Sequence, residues 1–402
     1  MNNVPNLRFS EFSGEWEHKY LNEIVERITR KNKGLISKLP LTISAQYGLV
    51  DQETFFNKTV ASKNLEGYYM LKNGEFAYNK SYSNGYPWGA IKRLDKYECG
   101  VLSSLYICFK PYSGMHSDFL TNYFETTKWH KEVSMIAVEG ARNHGLLNIA
   151  VNDFFKTLHY VPNIEEQEKI GSFLSLIDKK IELQTEKVED LKNYKKGIMQ
   201  KIFSQELRFK YENGNDYPEW EEHTLGKLIK VKSIRNKDNK VELVLSVSNT
   251  KGFITQAEQF EDRVVASSDI SNYKIVEKDD FAFNPARINV GSIARLKTHE
   301  KGIISPMYVC FNCLNLLDSI YFEYFLMTHS FDVQMKKKLE GSVRKTLSAE
   351  ALSEIKIKLP TLLEQKKIGE FLNKISAKIE KEEVKLVQLE KYKKGLLQQM
   401  FI

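Results

Sequence analysis

The sequence predicts an α+β protein built twice over: two mixed α/β domains joined by two long helices that pair as an antiparallel coiled coil, with an internal pseudo-two-fold repeat. Three observations carry this. Residues 162–203 and 360–401 align without a gap at an offset of 198, with 20 identities in 42 positions. Both segments place apolar residues on a heptad. The stretches before them carry short strand-like runs separated by Gly, Asn and Asp turns.

The elements follow in chain order. In the first domain, 1–161, Leu41 to Ala45 and Tyr106 to Phe109 read as strands, and Phe119 to Ile136 has helical spacing of aromatics. The first spacer helix, 162–204, opens on Pro162-Asn163 with Glu166 three positions on, a polar cap followed by an acid. Its seam is Ile170, Ile177, Leu191 and Ile198 on one heptad position and Leu174, Ile181, Val188 and Ile202 on the other. The second domain, 205–359, repeats the strand-like runs at Leu243 to Val247 and Met307 to Phe311 and the helical spacing from Ile320 to Leu339. The second helix, 360–402, carries Ile368, Ile375, Leu389 and Leu396 with Leu372, Ile379, Leu386 and Met400. Such seams are those of a coiled coil, and the polar breaks Gln184, Lys195, Glu382 and Lys393 fix its register. Each helix of about 39 residues is roughly 58 Å long at the α-helical rise. Both strands of the coil are in one chain, so the pairing expected is intramolecular and antiparallel.

Fainter anchors extend the repeat over the domains. Leu7-Arg8-Phe9 with Trp16 and Leu21 returns as Leu207-Arg208-Phe209 with Trp220 and Leu225. Phe76-Ala77-Tyr78-Asn79 returns as Phe281-Ala282-Phe283-Asn284, and Glu139-Gly140 with Arg142 returns as Glu340-Gly341 with Arg344. Between these anchors the halves differ. A shared frame with unlike inserts, in a molecule of approximate two-fold symmetry, suits a partner that is itself two-fold, with duplex DNA first.

A chain of 402 residues, 42% hydrophobic, can build two cores. The polar N-terminus, broken by Pro5 and Gly14, has no signal-peptide character, and no apolar run approaches the roughly 18 residues that span a bilayer; a cytoplasmic protein with no membrane partner is expected. The net charge of +7 is spread as +3, 0, +1 and +3 over the four segments. DNA binding therefore requires charges sorted to one face, or a partner that supplies phosphate attraction. Cys310 and Cys313 form a C-x-x-C without a second pair, and Cys310 repeats Cys108 inside an apolar run, so buried structural thiols are expected and no metal.

Catalytic motifs are missing. There is no G-x-x-x-x-G-K-[ST] and no G-x-G-x-x-G. Asn284-Pro285-Ala286-Arg287 lacks the second proline and the aromatic of an adenine-methyltransferase loop. No proline precedes an aspartate, and Asp279-Asp280 sits at an expected turn. His144 beside Arg142 and Asn143 reads as a loop contact or a solvated side chain.

The order of a variable domain, Pro-x-x-x-Glu-Gln-x-Lys-Ile-Gly-x-Phe-Leu, a long helix ending Tyr-Lys-Lys-Gly, and then all of these again closely resembles the specificity subunit of type I restriction-modification systems. The resemblance implies a non-catalytic subunit whose two target-recognition domains each read one half of a bipartite, asymmetric site in double-stranded DNA. It implies helices that set the half-site spacing and dock two methyltransferase subunits, with restriction (helicase-nuclease) subunits joining through them. S-adenosylmethionine and ATP with Mg belong to those partners, and the chain itself takes no cofactor. The DNA contacts it points to are the loop after the first strand (Ser44, Gln46, Tyr47; Ser246, Ser248, Asn249) and the Glu-Gly loop (Arg142, Asn143, His144; Arg344, Lys345, Thr346). Lys80, Tyr82 and Asn84 come next, with Arg287 and Asn289. Two other classes stay open: a stand-alone bipartite DNA-binding regulator, separated by whether methyltransferase and helicase-nuclease genes adjoin, and an enzyme with an unrecognised site.

Overall fold

The computed structural model describes residues 3–58, 60–83, 85–137, 147–255, 258, 269–341 and 345–402. The chain divides into two compact units, Met1–Glu186 with Val384–Ile402, and Lys187–Glu383. Each unit holds one mixed domain, the beginning of one long helix and the end of the other.

In the first unit a four-stranded antiparallel sheet runs in the order Val25–Ile28, Ile107–Pro111, Phe76–Asn79, Ala90–Arg93. Two further ladders pair Leu41–Ser44 with Gly48–Asp51 and Tyr69–Lys72 with Cys99–Leu102. A parallel bridge from Pro40 to Val101 joins them. Helices Ser117–Phe124 and His130–Ile136 cover the sheet, so the stretch with helical spacing of aromatics forms two short helices. Phe76 stacks on Phe109 at 5.5 Å in a fully buried core.

The second unit repeats this plan. Its first sheet is ordered Ile229–Lys232, Val309–Cys313, Phe281–Phe283, Ile293–Arg295, with Phe281 stacked on Phe311 at 5.3 Å. The second sheet is Gly252–Thr255, Val244–Ser248, Lys301–Ile304, Lys274–Glu277, and its middle pair is parallel where the first unit has its bridge. Helices Ser319–Phe325 and His329–Lys337 complete the core. Asp279 adopts φ 68° at the turn, and Asp280 is buried against Lys232 at 2.6 Å.

The long helices span Ile164–Phe203 and Leu362–Met400. Within the first unit, Ile170, Leu174 and Ile177 at the start of one share a core with Leu396, Met400 and Phe401 at the end of the other, with Ile181 packed at its edge. Within the second unit, Ile202 at the end of the first helix shares a core with Ile368 and Leu372 at the start of the second, and Ile198 and Ile375 pack against it. The pairing is antiparallel in both. Leu191 and Leu389 are half-buried and belong to neither cluster. Two of the polar seam positions form ion pairs, Glu382 with Lys187 at 3.1 Å and Lys393 with Asp178, and Lys195 lies over the Tyr324 ring at 5.0 Å. No helix among the described residues is long and apolar enough to cross a membrane.

Candidate nucleic-acid interface

The frame on which the loops stand is fixed first. Asn163 Oδ1 accepts the Glu166 amide at 2.9 Å and caps the first long helix. The Glu166 carboxylate does not reach back to the cap. It takes two hydrogen bonds from Arg8, at 2.8 and 2.7 Å, and one from Trp16 Nε1 at 3.3 Å. A planar guanidinium fork satisfies both carboxylate oxygens, which the cap's single amide cannot do. Glu364 is held in the same way by Arg208 (3.3 and 2.9 Å) and Trp220 (3.2 Å). The next residue ties each domain to its helix. Gln167 accepts the His116 amide and donates to Pro162, while Gln365 accepts the Asp318 amide and donates to Pro360. Gly171 completes the joint, since a Cβ there would lie 2.9 Å from the Phe119 nitrogen, and at Gly369 it would lie 2.9 Å from Ile320. The Glu-Gln-x-Lys-Ile-Gly motif is therefore a domain anchor, made twice.

Around that frame the exposed loops converge. In the first unit Leu147 donates to the Lys80 carbonyl at 2.8 Å, and Lys80 Nζ donates to Ile149 at 3.2 Å. Burial holds the Lys80 ammonium below the usual lysine range. Lys80 lines a cleft with Tyr69, Leu105 and Tyr106. Tyr82 is exposed, as are Gln46 and Tyr47 at the tip of the hairpin, whereas Ser44 is buried and its hydroxyl accepts the Tyr47 amide. In the second unit Leu347 donates to Pro285, Ser292 Oγ donates to Val247, and Asn284 Oδ1 accepts the Ala286 amide. Three loops are joined in this way: the hairpin turn with Ser248 and Asn249, the turn with Arg287 and Asn289, and the turn with Lys345 and Thr346. Asn249, Arg287, Asn289 and Lys345 are exposed, Ser248 and Thr346 are partly so, and Ser246 is buried. Asn84, Arg142, Asn143, His144 and Arg344 lie outside the described residues.

Several of the cations behind these loops are already paired. Arg93 binds Asp118 at 2.6 Å and Lys92 binds Glu125; Arg295 binds Glu323 at 2.9 Å, with Lys297 on the same carboxylate at 2.7 Å. They hold strand to helix and offer little charge to a phosphate. Among the described residues, exposed cations without an ion pair include Lys33 and Lys237, on one pair of loops, 31–38 and 235–241, that the sequence reading did not single out. The signal was present: Lys31-Asn32-Lys33 and Arg235-Asn236-Lys237 share the offset of 204 that relates Leu21 to Leu225.

Cys310 and Cys313 stand three apart on one strand and so point to opposite faces, and burial pushes the Cys310 thiol up to about 12. Among the described residues no three His, Cys, Asp or Glu are placed to hold a metal.

Comparison with known proteins agrees with this geometry. Residues 217–391 match the family model described as the type I restriction modification DNA specificity domain. The putative type I restriction enzyme MjaX specificity subunit of Methanocaldococcus jannaschii is 27% identical over 256 residues, 59% of this chain and 56% of that one. The MjaVIII specificity subunit of the same organism is 27% identical over 263 residues, 59% of each chain. The chain thus spans under two thirds of the length of these curated relatives. Among solved structures, the type I restriction-modification S subunit from M. genitalium superposes over 99% of both chains with a TM-score of 0.57 at 15% identity. A chain from a study of complex assembly and conformational transition of the type I R-M system matches over 97% of this chain and 98% of its own length, with a TM-score of 0.54 at 15% identity.

Proposed function

We propose that this chain is a type I restriction-modification specificity subunit and confers DNA sequence specificity on a modification and restriction complex. Each mixed domain reads one half of a bipartite, asymmetric site through its hairpin turn, the turn after the strand Phe76–Asn79 or Phe281–Phe283, and the Glu-Gly loop. The long helices set the half-site spacing and dock two methyltransferase subunits, through which helicase-nuclease subunits join. Transfer of methyl groups to adenine and ATP-driven cleavage belong to those partners, and the complex works in the cytoplasm.

The observation that carries this reading is the repeated frame with unlike exposed loops. Both domains are anchored to their helices by the same Arg-Glu-Trp contact, yet where one carries Lys80 and Tyr82 the other carries Arg287 and Asn289. A phosphate backbone is the same everywhere and base edges are not, so a common frame with divergent tips is what two readers of different sequences require.

The test has two arms. The purified chain should neither methylate nor cleave DNA, and adding the cognate methyltransferase subunit should give a complex with two such subunits that methylates adenine. Exchanging residues 205–359 for the matching domain of a relative should change one half-site and leave the other half and the spacing intact. Methyl transfer by the homogeneous chain, or a change in both half-sites together, refutes the proposal.

A further inference from the structure

The loops 31–38 and 235–241 are the same object built twice. Asn32 is fully buried; its Nδ2 donates to the Ser37 carbonyl at 2.8 Å and its Oδ1 accepts the Ser37 amide at 3.0 Å. Asn236, equally buried, makes the same pair of bonds to Val241 at 2.9 and 3.1 Å. Each Asn backbone amide donates to the carbonyl of the residue just before the neighbouring strand, Tyr68 at 3.1 Å and Tyr273 at 2.9 Å. The third residue after the asparagine turns left-handed in both, Leu35 at φ 52° and Asn239 at φ 53°. That conformation is easy for asparagine and costly for leucine, so the surrounding bonds enforce it.

What is shared and what differs within the loop follow the pattern of the whole protein. Shared are the buried asparagine and the cations on either side of it, Lys31 and Lys33, Arg235 and Lys237. Lys33 and Lys237 are exposed and make no ion pair among the described residues. The tips differ completely: Gly34-Leu35-Ile36, with Ile36 68% exposed, against Asp238-Asn239-Lys240. Each loop also adjoins the reading surface of its own unit. Lys31 Nζ lies 3.8 Å over the ring of Tyr69, which lines the cleft holding Lys80. Arg235 bridges to Lys274, whose ammonium donates to Tyr308 at 2.6 Å, beside Met307 and Asn284.

We propose that these twin loops are DNA-reading fingers, in which Lys33 and Lys237 grip the sugar-phosphate backbone whatever the sequence and the tips 34–36 and 238–240 contact bases. An apolar tip such as Leu35-Ile36 suits a thymine methyl group, and the exposed Asn239 amide suits a base edge, while Lys240 pairs with Asp238 at 2.8 Å. This rests on the DNA-reading function proposed above and adds residues it did not include.

The experiment uses the full chain assembled with two methyltransferase subunits, its target first mapped by methylation of a random plasmid library. For Lys33→Ala with Lys237→Ala, the slope of log affinity against log salt should shrink by about 1.8, roughly 0.9 for each lost phosphate contact, with the mapped site unchanged. Leu35→Asn and Ile36→Lys together alter exposed positions and relieve the left-handed leucine, while Gly34, at φ 71°, is left in place, so folding is preserved. They should change base preference in the first half-site only. An unchanged salt slope overturns the backbone grip, and an unchanged first half-site overturns the reading tip. If the wild-type complex maps to no site at all, the parent function falls and the fingers fall with it.

Discussion

Replacing Arg8 by alanine is the sharpest test of the domain anchor. Glu166 is a buried carboxylate, its side chain 1% exposed, and Arg8 supplies two of its three side-chain hydrogen bonds. Removing the guanidinium leaves a charge in an apolar joint with only Trp16 Nε1 to answer it. Breaking one side of such a pair costs about 3 to 5 kcal/mol. With a urea m-value of about 2.5 kcal/mol/M, the first unit's midpoint should fall by roughly 1.5 M. Adding Glu166→Gln removes the orphaned charge and should restore part of the loss, a coupling that a double-mutant cycle reads directly. Lys169→Ala is the control. Its 3.2 Å pair with Glu11 joins two half-exposed side chains, so its loss should leave the urea midpoint nearly unchanged. Unfolding followed by fluorescence separates the units, because Trp16, Trp88 and Trp129 lie in the first and Trp220 in the second. If Arg8→Ala costs no more than Lys169→Ala, or if the double variant is no better than the single, the anchor is not what holds domain to helix.

Burial pulls His159 down to about 3, with its two ring nitrogens bonded to Tyr123 at 2.7 Å and Thr157 at 2.8 Å. The unfolded chain takes up this proton below about 6.5 and the folded chain does not, so stability is full above that pH and is lost as pH falls toward 3. Between pH 6.5 and 5 the first unit should lose roughly 2 kcal/mol, and His159→Leu should flatten that slope in urea midpoints; equal slopes refute it. A fragment of residues 1–204 lacks Leu396, Met400 and Phe401 but carries their repeat equivalents Ile198, Ile202 and Phe203, so two copies should pair end over end, as light scattering would show. Ile177→Asp should abolish that dimer by placing an unpaired charge in the seam, at several kcal/mol; a monomeric parent fragment refutes the pairing. Arg344→Ala should relax one base position of the second half-site at about 1 to 3 kcal/mol, or weaken methylation evenly if it touches phosphate. No effect on methylation removes it from the interface.

What the sequence determined by itself is whatever depends on local period and on repetition. The heptads placed Ile170, Leu174 and Ile177 and their partners Leu396 and Met400 on facing seams, and the offset of 198 made the protein two copies of one plan. The cap at Asn163 was also legible, because its bond spans only three residues. Three things were decided only by the tertiary structure. The Glu166 carboxylate turned from the cap to an arginine 158 positions away. Ser44 and Ser246 went inside while Gln46, Tyr47 and Asn249 stayed out. The triplets around Asn32 and Asn236 became matching loops because each asparagine backbone amide found a carbonyl more than 30 residues on, at Tyr68 and Tyr273, just before a strand. Such contacts have no period to read: they arise when distant segments are brought together and each buried polar group must find a partner wherever the packing leaves one.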